Sequence, residues 1–399
     1  MSIVATVGNS EVLSLILSRT THFGPAQRRC SSPIDQRNTF PMSLSSLWQP
    51  FTLGRVELPH RLALAPMTRS RANSDGTLSA LTAEYYAQRA SLGLIITEGV
   101  QPSDDGQGYI NTPGIYTPGH IEGWRKVTDA VHAEGGAVFI QLMHAGRMSH
   151  PDNTPHHRLP VAPSAISADQ EMLTATGPQK TPVPRELSVD DIQSTIAEFR
   201  HAAASAIAAG ADGVEIHGAN GYLLHQFLSP DANHRTDSYG GSLENRSRFV
   251  IEIARAVADE IGADRVGIRL SPAMPLGGIN EGDTESVRAQ YRHLVGELAT
   301  LNLAYLHLHH VGDDELLHSF RDAWPTALLV VRYGRTREQI AADIDAGFAD
   351  IAPLGRFALA NPDIVERLRT DAPLNDVDPA TIYGGGAAGY TDYPAMAHA

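Results

Sequence analysis

The sequence is poor in cysteine, in lysine and in long apolar segments. Cys30 is its only cysteine, which excludes an intramolecular disulfide and a cysteine-rich zinc site. No apolar run approaches the roughly 20 residues that a membrane-spanning helix needs. Lys126 and Lys180 are the only lysines among 31 basic residues, a bias that we attribute to a GC-rich genome. The net charge of −14 argues against general nucleic-acid binding.

The amino-terminal segment, residues 1–41, differs in composition from the rest of the chain. It is rich in serine and threonine and has little periodicity, and its basic residues follow its short apolar stretch, the reverse of a secretory signal. We expect a disordered extension, or a chain that starts at Met42. An organelle transit peptide is the alternative. The domain that carries function is then expected to span residues 42–399.

From Met42 onward, short apolar runs alternate with longer amphipathic segments, as in a parallel sheet. Eight strands are predicted, at 62–66, 93–98, 137–143, 213–217, 265–270, 305–309, 328–332 and 351–354. Eight helices are predicted, at 79–90, 120–133, 190–209, 243–261, 284–300, 314–321, 336–346 and 361–369. Ser188 and Asp191 have the spacing of a capping box at the third helix. Eight strand–helix repeats predict an α/β fold, a (β/α)8 TIM barrel.

An open doubly wound sheet is the alternative fold, but it needs a glycine-rich dinucleotide fingerprint after its first strand. Residues 62–69 contain no glycine. The segment Gly384–Gly389 fits G-x-G-x-x-G, but no predicted strand precedes it and no predicted helix follows it. We interpret it as a flexible C-terminal turn.

Polar residues cluster at the carboxyl ends of the predicted strands, where such barrels place their chemistry. These residues are Thr68, Arg69, Glu98, Gly99, Gln141, His144, His217, Asn220, Arg269, His309, Gly334, Arg335, Gly355 and Arg356. Two of the sites repeat a glycine–arginine pair after adjacent strands seven and eight, which is where this fold usually binds phosphate. The pairs predict a phosphorylated cofactor or substrate.

A second constellation, His217-x-x-Asn220-x-Tyr222, follows the fourth strand. His217 and Asn220 can both donate a hydrogen bond to one carbonyl or nitro oxygen, which is a form of oxyanion stabilisation. The phenol of Tyr222 can act as a general acid. The spacing alone is weak evidence, and its position after a strand strengthens the functional interpretation.

These residues lie within long motifs that resemble the Old Yellow Enzyme family of FMN-dependent ene-reductases. The motifs are APMTR (65–69), TEG (97–99), QLMHAGR (141–147), VAPSA (161–165), VEIHGANGYLLHQFLSP (214–230), YGGS (239–242), LGRF (354–357), ANPD (360–363) and YTDYP (390–394). The resemblance covers residues from about 44 to 393.

The resemblance implies FMN at the mouth of the barrel and NADPH or NADH as the hydride donor. The residues that it implies for FMN are Pro66, Met67, Thr68, Gly99, Gln141, Arg269, Gly334, Arg335, Gly355 and Arg356. Thr68 would bind the flavin O4, and Arg269 would stabilise negative charge near N1 and O2. The two glycine–arginine pairs would hold the phosphate, as expected above.

The implied reaction reduces the C=C bond of an activated alkene such as an enone or maleimide, and extends to nitro compounds and nitrate esters. His217 and Asn220 would bind the activating oxygen, the β-carbon would receive hydride from flavin N5, and Tyr222 would protonate the α-carbon. Met143, which stands where close relatives carry tryptophan, and Tyr383 would line the substrate pocket. We expect small-molecule partners alone, with no nucleic acid, membrane or metal, in a cytoplasmic monomer or homodimer.

Two rival functions remain at this point. A metal-dependent barrel hydrolase could use the histidines at 307, 309 and 310 with Asp313 and Asp314, but the other strand ends offer few carboxylates. A non-catalytic flavin-binding protein would not need His217, Asn220 and Tyr222 together. The proline-rich segment 144–186 predicts a substrate lid or a small hairpin over the barrel.

Overall fold

The computed structural model describes residues 44–396. The predicted extension at residues 1–41 therefore lies outside the described residues, and its boundary with the barrel stays a prediction. Within the described range, strands and helices alternate as the sequence indicates.

The strands of the described range are as follows. They are β1 (Phe51–Leu53), β2 (Val56–Leu58), β3 (Leu62–Leu64), β4 (Leu94–Val100), β5 (Ala137–Leu142), β6 (Val161–Ala162), β7 (Glu171–Thr174), β8 (Gly177–Lys180), β9 (Arg185–Glu186), β10 (Gly213–Gly218), β11 (Val266–Leu270), β12 (Tyr305–His309), β13 (Ala327–Val331) and β14 (Ala352–Leu354).

Eight of these strands form a parallel barrel in the order β14, β3, β4, β5, β10, β11, β12, β13. A parallel bridge between Leu329 and Ile351 joins β13 to the segment that enters β14 and closes the ring. The eight strands coincide with the eight predicted runs, so the prediction of a TIM barrel is confirmed. The runs read as continuous apolar stretches because the strands are covered on both faces; every residue of β4, β5, β10, β11 and β12 is buried.

Helices surround the barrel in the described range. They are α1 (Thr82–Ala87), α2 (Pro118–Ala133), α3 (Val189–Ala208), α4 (Leu223–Leu228), α5 (Leu243–Ile261), α6 (Thr284–Ala299), α7 (Asp314–Ala323), α8 (Arg337–Asp345), α9 (Arg356–Ala360) and α10 (Ile364–Thr370). The capping box at Ser188 and Asp191 is present. The sequence did not predict α4 and α9; every residue of α4 is buried, so it lacks the alternation of apolar and polar faces that marks a helix, and α9 has only five residues.

Side chains fill the barrel interior, so the barrel is a packed core and not a pore. The ring centroids of Phe139 and Tyr305 lie 5.6 Å apart in this interior. Gly267 leaves room for the Tyr305 ring, since an added Cβ would lie 2.1 Å from that ring. The amino-terminal end carries the antiparallel hairpin β1–β2.

Segment 144–186, which follows β5, contains the antiparallel hairpin β7–β8, and β6 pairs with β9 at its end. The predicted hairpin is therefore present, and its role as a substrate lid stays a prediction. Among the described residues, no helix is both long and apolar enough to cross a bilayer.

Candidate functional site

The carboxyl ends of the barrel strands bring the predicted polar residues to one mouth. His217 and Arg269 are direct neighbours in the register of β10 and β11, and Gln141 pairs with Gly99 across β4 and β5. On the other side of the mouth, Gly355 approaches the loop after β3, where an added Cβ would lie 3.8 Å from the Met67 sulfur. Pro66, Met67 and Thr68 are half-buried in that loop.

His217 is a neutral, buried imidazole. Burial lowers its pKa well below the usual value, and the positive charge of Arg269 lowers it further. Its Nδ1 atom is buried and has no hydrogen-bond partner within residues 44–396. The edge of the ring packs against Tyr222, with 5.1 Å between the ring centroids. A buried polar atom without a partner is costly, so this nitrogen is suited to a ligand.

Asn220 is held in an unusual backbone conformation at the turn after β10. Its φ angle is +56°, a left-handed conformation that asparagine adopts more readily than most residues. Its backbone N–H donates to the Ser271 hydroxyl at 2.8 Å. The next residue must be glycine, because a Cβ at Gly221 would lie 2.3 Å from the Leu276 carbonyl oxygen. The turn therefore packs tightly against the loop after β11.

Tyr222 keeps its phenolic proton over a wide pH range. Burial raises its pKa well above the usual value, and the phenol of Tyr109 raises it further. The two hydroxyl oxygens lie 3.2 Å apart, and either can donate. The rings meet edge to face, with centroids 6.3 Å apart. Tyr222 is thus a protonated acid with a second hydroxyl group beside it.

A hydrogen-bonded network crosses the barrel interior below these residues. The amide nitrogen of Gln141 donates to Glu215 at 2.7 Å, and the other oxygen of Glu215 lies 2.8 Å from His307 Nδ1. Burial by itself would raise the pKa of Glu215, but His307 and Arg269 together hold it below its usual value. Burial lowers the pKa of His307. The network therefore consists of a buried carboxylate and a neutral imidazole.

Arg269 is a buried cation at the end of β11. It is 6% exposed, and no described residue forms an ion pair or a side-chain hydrogen bond with it. Burial lowers its pKa and the carboxylate of Glu215 opposes this, so the guanidinium stays charged at neutral pH. Its free donors fit a ligand that carries negative charge or carbonyl oxygens.

Gly99 and Met143 are sterically coupled. β4 has an irregular register with β5 between Ile96 and Gly99. A Cβ at Gly99 would lie 2.5 Å from the sulfur of Met143. The thioether therefore occupies the space that a side chain at position 99 would need.

The loops after β13 and β14 form the open side of the mouth. Gly334 has a φ angle of +74°, and apart from its chain neighbours no atom of residues 44–396 lies within 4 Å of the position of an added Cβ. Arg335 forms an ion pair with Asp343 of α8, at 3.4 Å. Arg356 is exposed, without an ion pair or side-chain hydrogen bond to any part of the chain that the structure describes. Of the two predicted arginines, only Arg356 is free of a protein partner.

The C-terminal glycine-rich segment is anchored, in contrast to the flexible turn that we expected. Arg69 donates to the carbonyl oxygens of Ile382 at 3.0 Å and Gly389 at 2.8 Å. Arg71 donates to four carbonyl oxygens between residues 381 and 388. Tyr383, which is half exposed, lies within the segment that Arg69 and Arg71 hold. No strand or helix flanks residues 384–389 directly, as the sequence predicted.

Sequence reasoning did not single out Tyr109 or Glu215, and it placed His309 at a strand end but connected both His307 and His309 with a metal site. The alternation of β10 places Glu215 on the same face as His217, and that was an available signal. No local signal exists for Tyr109, which lies 113 residues before its partner. No group of three or more histidine, cysteine, aspartate or glutamate residues within 44–396 could hold a metal ion. His310 contacts Asp314 and His307 contacts Glu215, so these histidines do not converge.

A model of the NADH:flavin oxidoreductase / NADH oxidase family matches residues 46–375. The chain belongs to this family. It is 40% identical over 363 residues to a probable flavin mononucleotide-dependent alkene reductase from Leishmania infantum, covering 89% of this chain and 98% of that one. It is 41% identical over 361 residues to 12-oxophytodienoate reductase 1 from Oryza sativa subsp. japonica, covering 87% and 92%.

Solved structures agree with this assignment. Morphinone reductase in complex with tetrahydroNAD superposes with a TM-score of 0.84 at 41% identity, covering 88% of this chain and 98% of that one. The Old Yellow Enzyme homologue from Zymomonas mobilis superposes with a TM-score of 0.84 at 36% identity, covering 88% and 100%. The predicted resemblance is confirmed, and the chain is an FMN-dependent oxidoreductase that uses a reduced nicotinamide. Neither rival function is supported.

Proposed function

We propose that this protein reduces the C=C bond of activated alkenes, such as enones and maleimides, at the expense of NADPH or NADH. One observation carries the proposal: the unpartnered buried nitrogen of His217 and the protonated hydroxyl of Tyr222 lie at one mouth, with the two rings in contact. Reduction of an enone needs donors for its oxygen and an acid for its carbon, and this pair supplies both kinds of group.

The residues at the mouth fit FMN. Arg269 has free buried donors, and Gly334 leaves open space beside its backbone, as a phosphate needs. We assign Pro66, Met67, Thr68, Gly99, Gln141 and Arg269 to the isoalloxazine ring, and Gly334, Arg335, Gly355 and Arg356 to the phosphate. Bound FMN supplies the hydride for the alkene.

The chain's own residues bind and polarise the substrate. His217 and Asn220 donate to the carbonyl oxygen and so withdraw electron density from the β-carbon. The same bonds strengthen as negative charge develops on that oxygen. Because His217 is neutral, it donates from one nitrogen without adding a full charge to the site.

Tyr222 holds the second hydrogen that the alkene receives. Its proton is on the phenolic oxygen, and it moves to the α-carbon as the C=C bond is lost. The Tyr109 hydroxyl lies 3.2 Å away and keeps the proton on Tyr222 until the transfer, because it raises the pKa of Tyr222. Met143 and Tyr383 line the substrate pocket, and the Gly99–Met143 contact sets its width on one side. A cytoplasmic location and a monomer or homodimer stay predictions.

The visible absorption spectrum of the purified protein tests the proposal. We expect a flavin band that bleaches under anaerobic NADPH and returns when 2-cyclohexenone is added. A band that bleaches but does not return with any enone contradicts the alkene substrate while leaving the flavin in place. A colourless protein that also fails to bind added FMN contradicts the cofactor assignment.

A further inference from the structure

The Asn220 side chain has a partner from a distant strand. His309, the last residue of β12, places its Nδ1 atom 3.3 Å from Asn220 Oδ1. His309 is 2% exposed, and the edge of the Tyr333 ring packs on it with 4.9 Å between centroids. The adjacent His310 contacts Asp314 on α7. Of the two histidines, only His309 contacts the turn that carries Asn220.

The contact has a defined direction. Burial, with the nearby charge of Arg269, lowers the pKa of His309 to about 3, so the ring is neutral and carries one N–H. An amide oxygen can only accept, so in this arrangement the hydrogen is on Nδ1. His309 Nε2 is buried without a hydrogen-bond partner in the described range, which leaves Nδ1 as the nitrogen that the protein uses.

The contact with Oδ1 also determines the direction of the amide nitrogen, Nδ2. The oxygen and nitrogen of an amide point in different directions from one carbon, so a bond to Oδ1 fixes where Nδ2 points. Ser271 already holds the backbone of Asn220, so rotation of the side chain is the motion that the contact with His309 restricts. The opposite amide orientation would turn Nδ2 toward His309 and remove a donor from the substrate.

We propose that His309 is a positioning residue, whose Nδ1–H holds Asn220 Oδ1 so that the Asn220 Nδ2 donors face the substrate oxygen. This inference rests on the proposed role of Asn220 in oxygen binding. It gives His309 no contact with the substrate. It gives the buried histidine at the end of β12 a role distinct from that of His307, two residues earlier, which contacts Glu215.

The test uses the FMN-loaded protein in its oxidised state, in which 2-cyclohexenone binds but is not reduced. The change in flavin absorption on titration gives its Kd. His309→Leu removes the donor and keeps the bulk, and His309→Asn places an amide near the former Nδ1. We expect Kd to rise about tenfold for His309→Leu and to stay within about threefold of wild type for His309→Asn. Flavin content and Tm report whether each variant folds, and His309→Ser replaces His309→Leu if the latter does not.

A double-mutant cycle separates positioning from a general structural effect. Asn220→Gly removes the amide at a backbone conformation that glycine adopts readily. If His309 acts through Asn220, His309→Leu changes Kd less than about twofold in the Asn220→Gly background. An equal loss in both backgrounds overturns the proposal. So does an unchanged Kd for His309→Leu where Asn220→Gly weakens binding. If Asn220→Gly itself leaves Kd unchanged, the role of Asn220 fails, and the positioning role fails with it.

Discussion

The two sides of the mouth differ in how much of their polar structure the protein itself completes. On the side proposed for the substrate, after β10, Asn220 is held by Ser271 and His309, and Tyr222 by Tyr109, while His217 Nδ1 has no partner among residues 44–396. On the side proposed for the phosphate, after β13 and β14, the space beside Gly334 is open, Arg335 pairs with Asp343, and Arg356 has no partner among residues 44–396.

We attribute this difference in hydrogen bonding to the different functions proposed for the two sides. Donors that act on a transition state are effective when they are already oriented, because no reorganisation is needed during the reaction. A phosphate is a permanent ligand, so flexible cations and bare backbone suffice to hold it. We therefore expect substitutions on the substrate side to affect rates, and substitutions on the phosphate side to affect retention of FMN.

The largest effect is expected for the double variant His217→Ala, Asn220→Ala. Loss of both oxygen donors should slow the alkene half-reaction about 10³-fold, which is about 4 kcal/mol of transition-state stabilisation. Stopped-flow reoxidation of the reduced flavin by 2-cyclohexenone measures this. His201→Ala, on the outer surface of α3, is the matched control. An unchanged rate of reoxidation in the double variant would contradict the assignment of His217 and Asn220 to the substrate oxygen.

Tyr222→Phe should slow the alkene half-reaction about 10²-fold, since it removes the general acid. Flavin reduction by NADPH, followed in the same instrument, should keep its rate. Tyr109→Phe keeps Tyr222 and removes only its hydrogen-bond partner, so its effect should be smaller. Equal losses in both half-reactions of Tyr222→Phe would count against the proton-donor role.

Substitutions on the phosphate side should change the affinity for FMN. Arg356→Ala should weaken FMN binding about tenfold, because it removes a free cation from an anion site. Arg335→Ala should weaken it less than about threefold, because the guanidinium of Arg335 already pairs with Asp343 and is less available to an anion. Quenching of flavin fluorescence on titration of the apoprotein gives both constants. A larger effect for Arg335→Ala would reverse the assignment of the two arginines.

The smallest effect is expected from pH. The pKa of His217 lies well below 6.5 and that of Tyr222 well above 10.0, so neither group changes its protonation between them. His217 stays neutral on acidification and Tyr222 stays protonated in alkali. The rate of the alkene half-reaction should therefore vary less than about twofold from about pH 6 to about pH 9. A titration within this range that disappears in Tyr222→Phe would show that the pKa of Tyr222 is lowered and would contradict this prediction.

Much of the fold was predictable because its signals are local. Continuous apolar runs gave the eight barrel strands, and apolar periodicity with a capping box gave α3. The helices α4 and α9 lack such a signal, because every residue of α4 is buried and α9 has only five residues. The sequence also predicted which polar residues lie at the mouth, because each one lies at or shortly after the carboxyl end of a strand.

Contacts within the site were not predictable by the same means. Asn220 and His309 are 89 residues apart, Gln141 and Glu215 are 74 apart, and Arg69 lies 313 residues before Ile382. A parallel barrel joins strands through crossovers, so neighbours in space are distant in sequence. The glycine-rich segment after Tyr383 looked free for this reason: its two arginine partners lie on the loop after the first barrel strand.

The sequence by itself determined the barrel, the family and the residue types at each strand end, because periodicity and contiguous motifs are written along the chain. Only the tertiary structure decided which of those residues have partners. It paired Tyr222 with Tyr109 and Asn220 with His309, and it left Arg269 and His217 with free donors. Burial and hydrogen bonding depend on packing across the barrel, and packing is a property of the closed ring of strands.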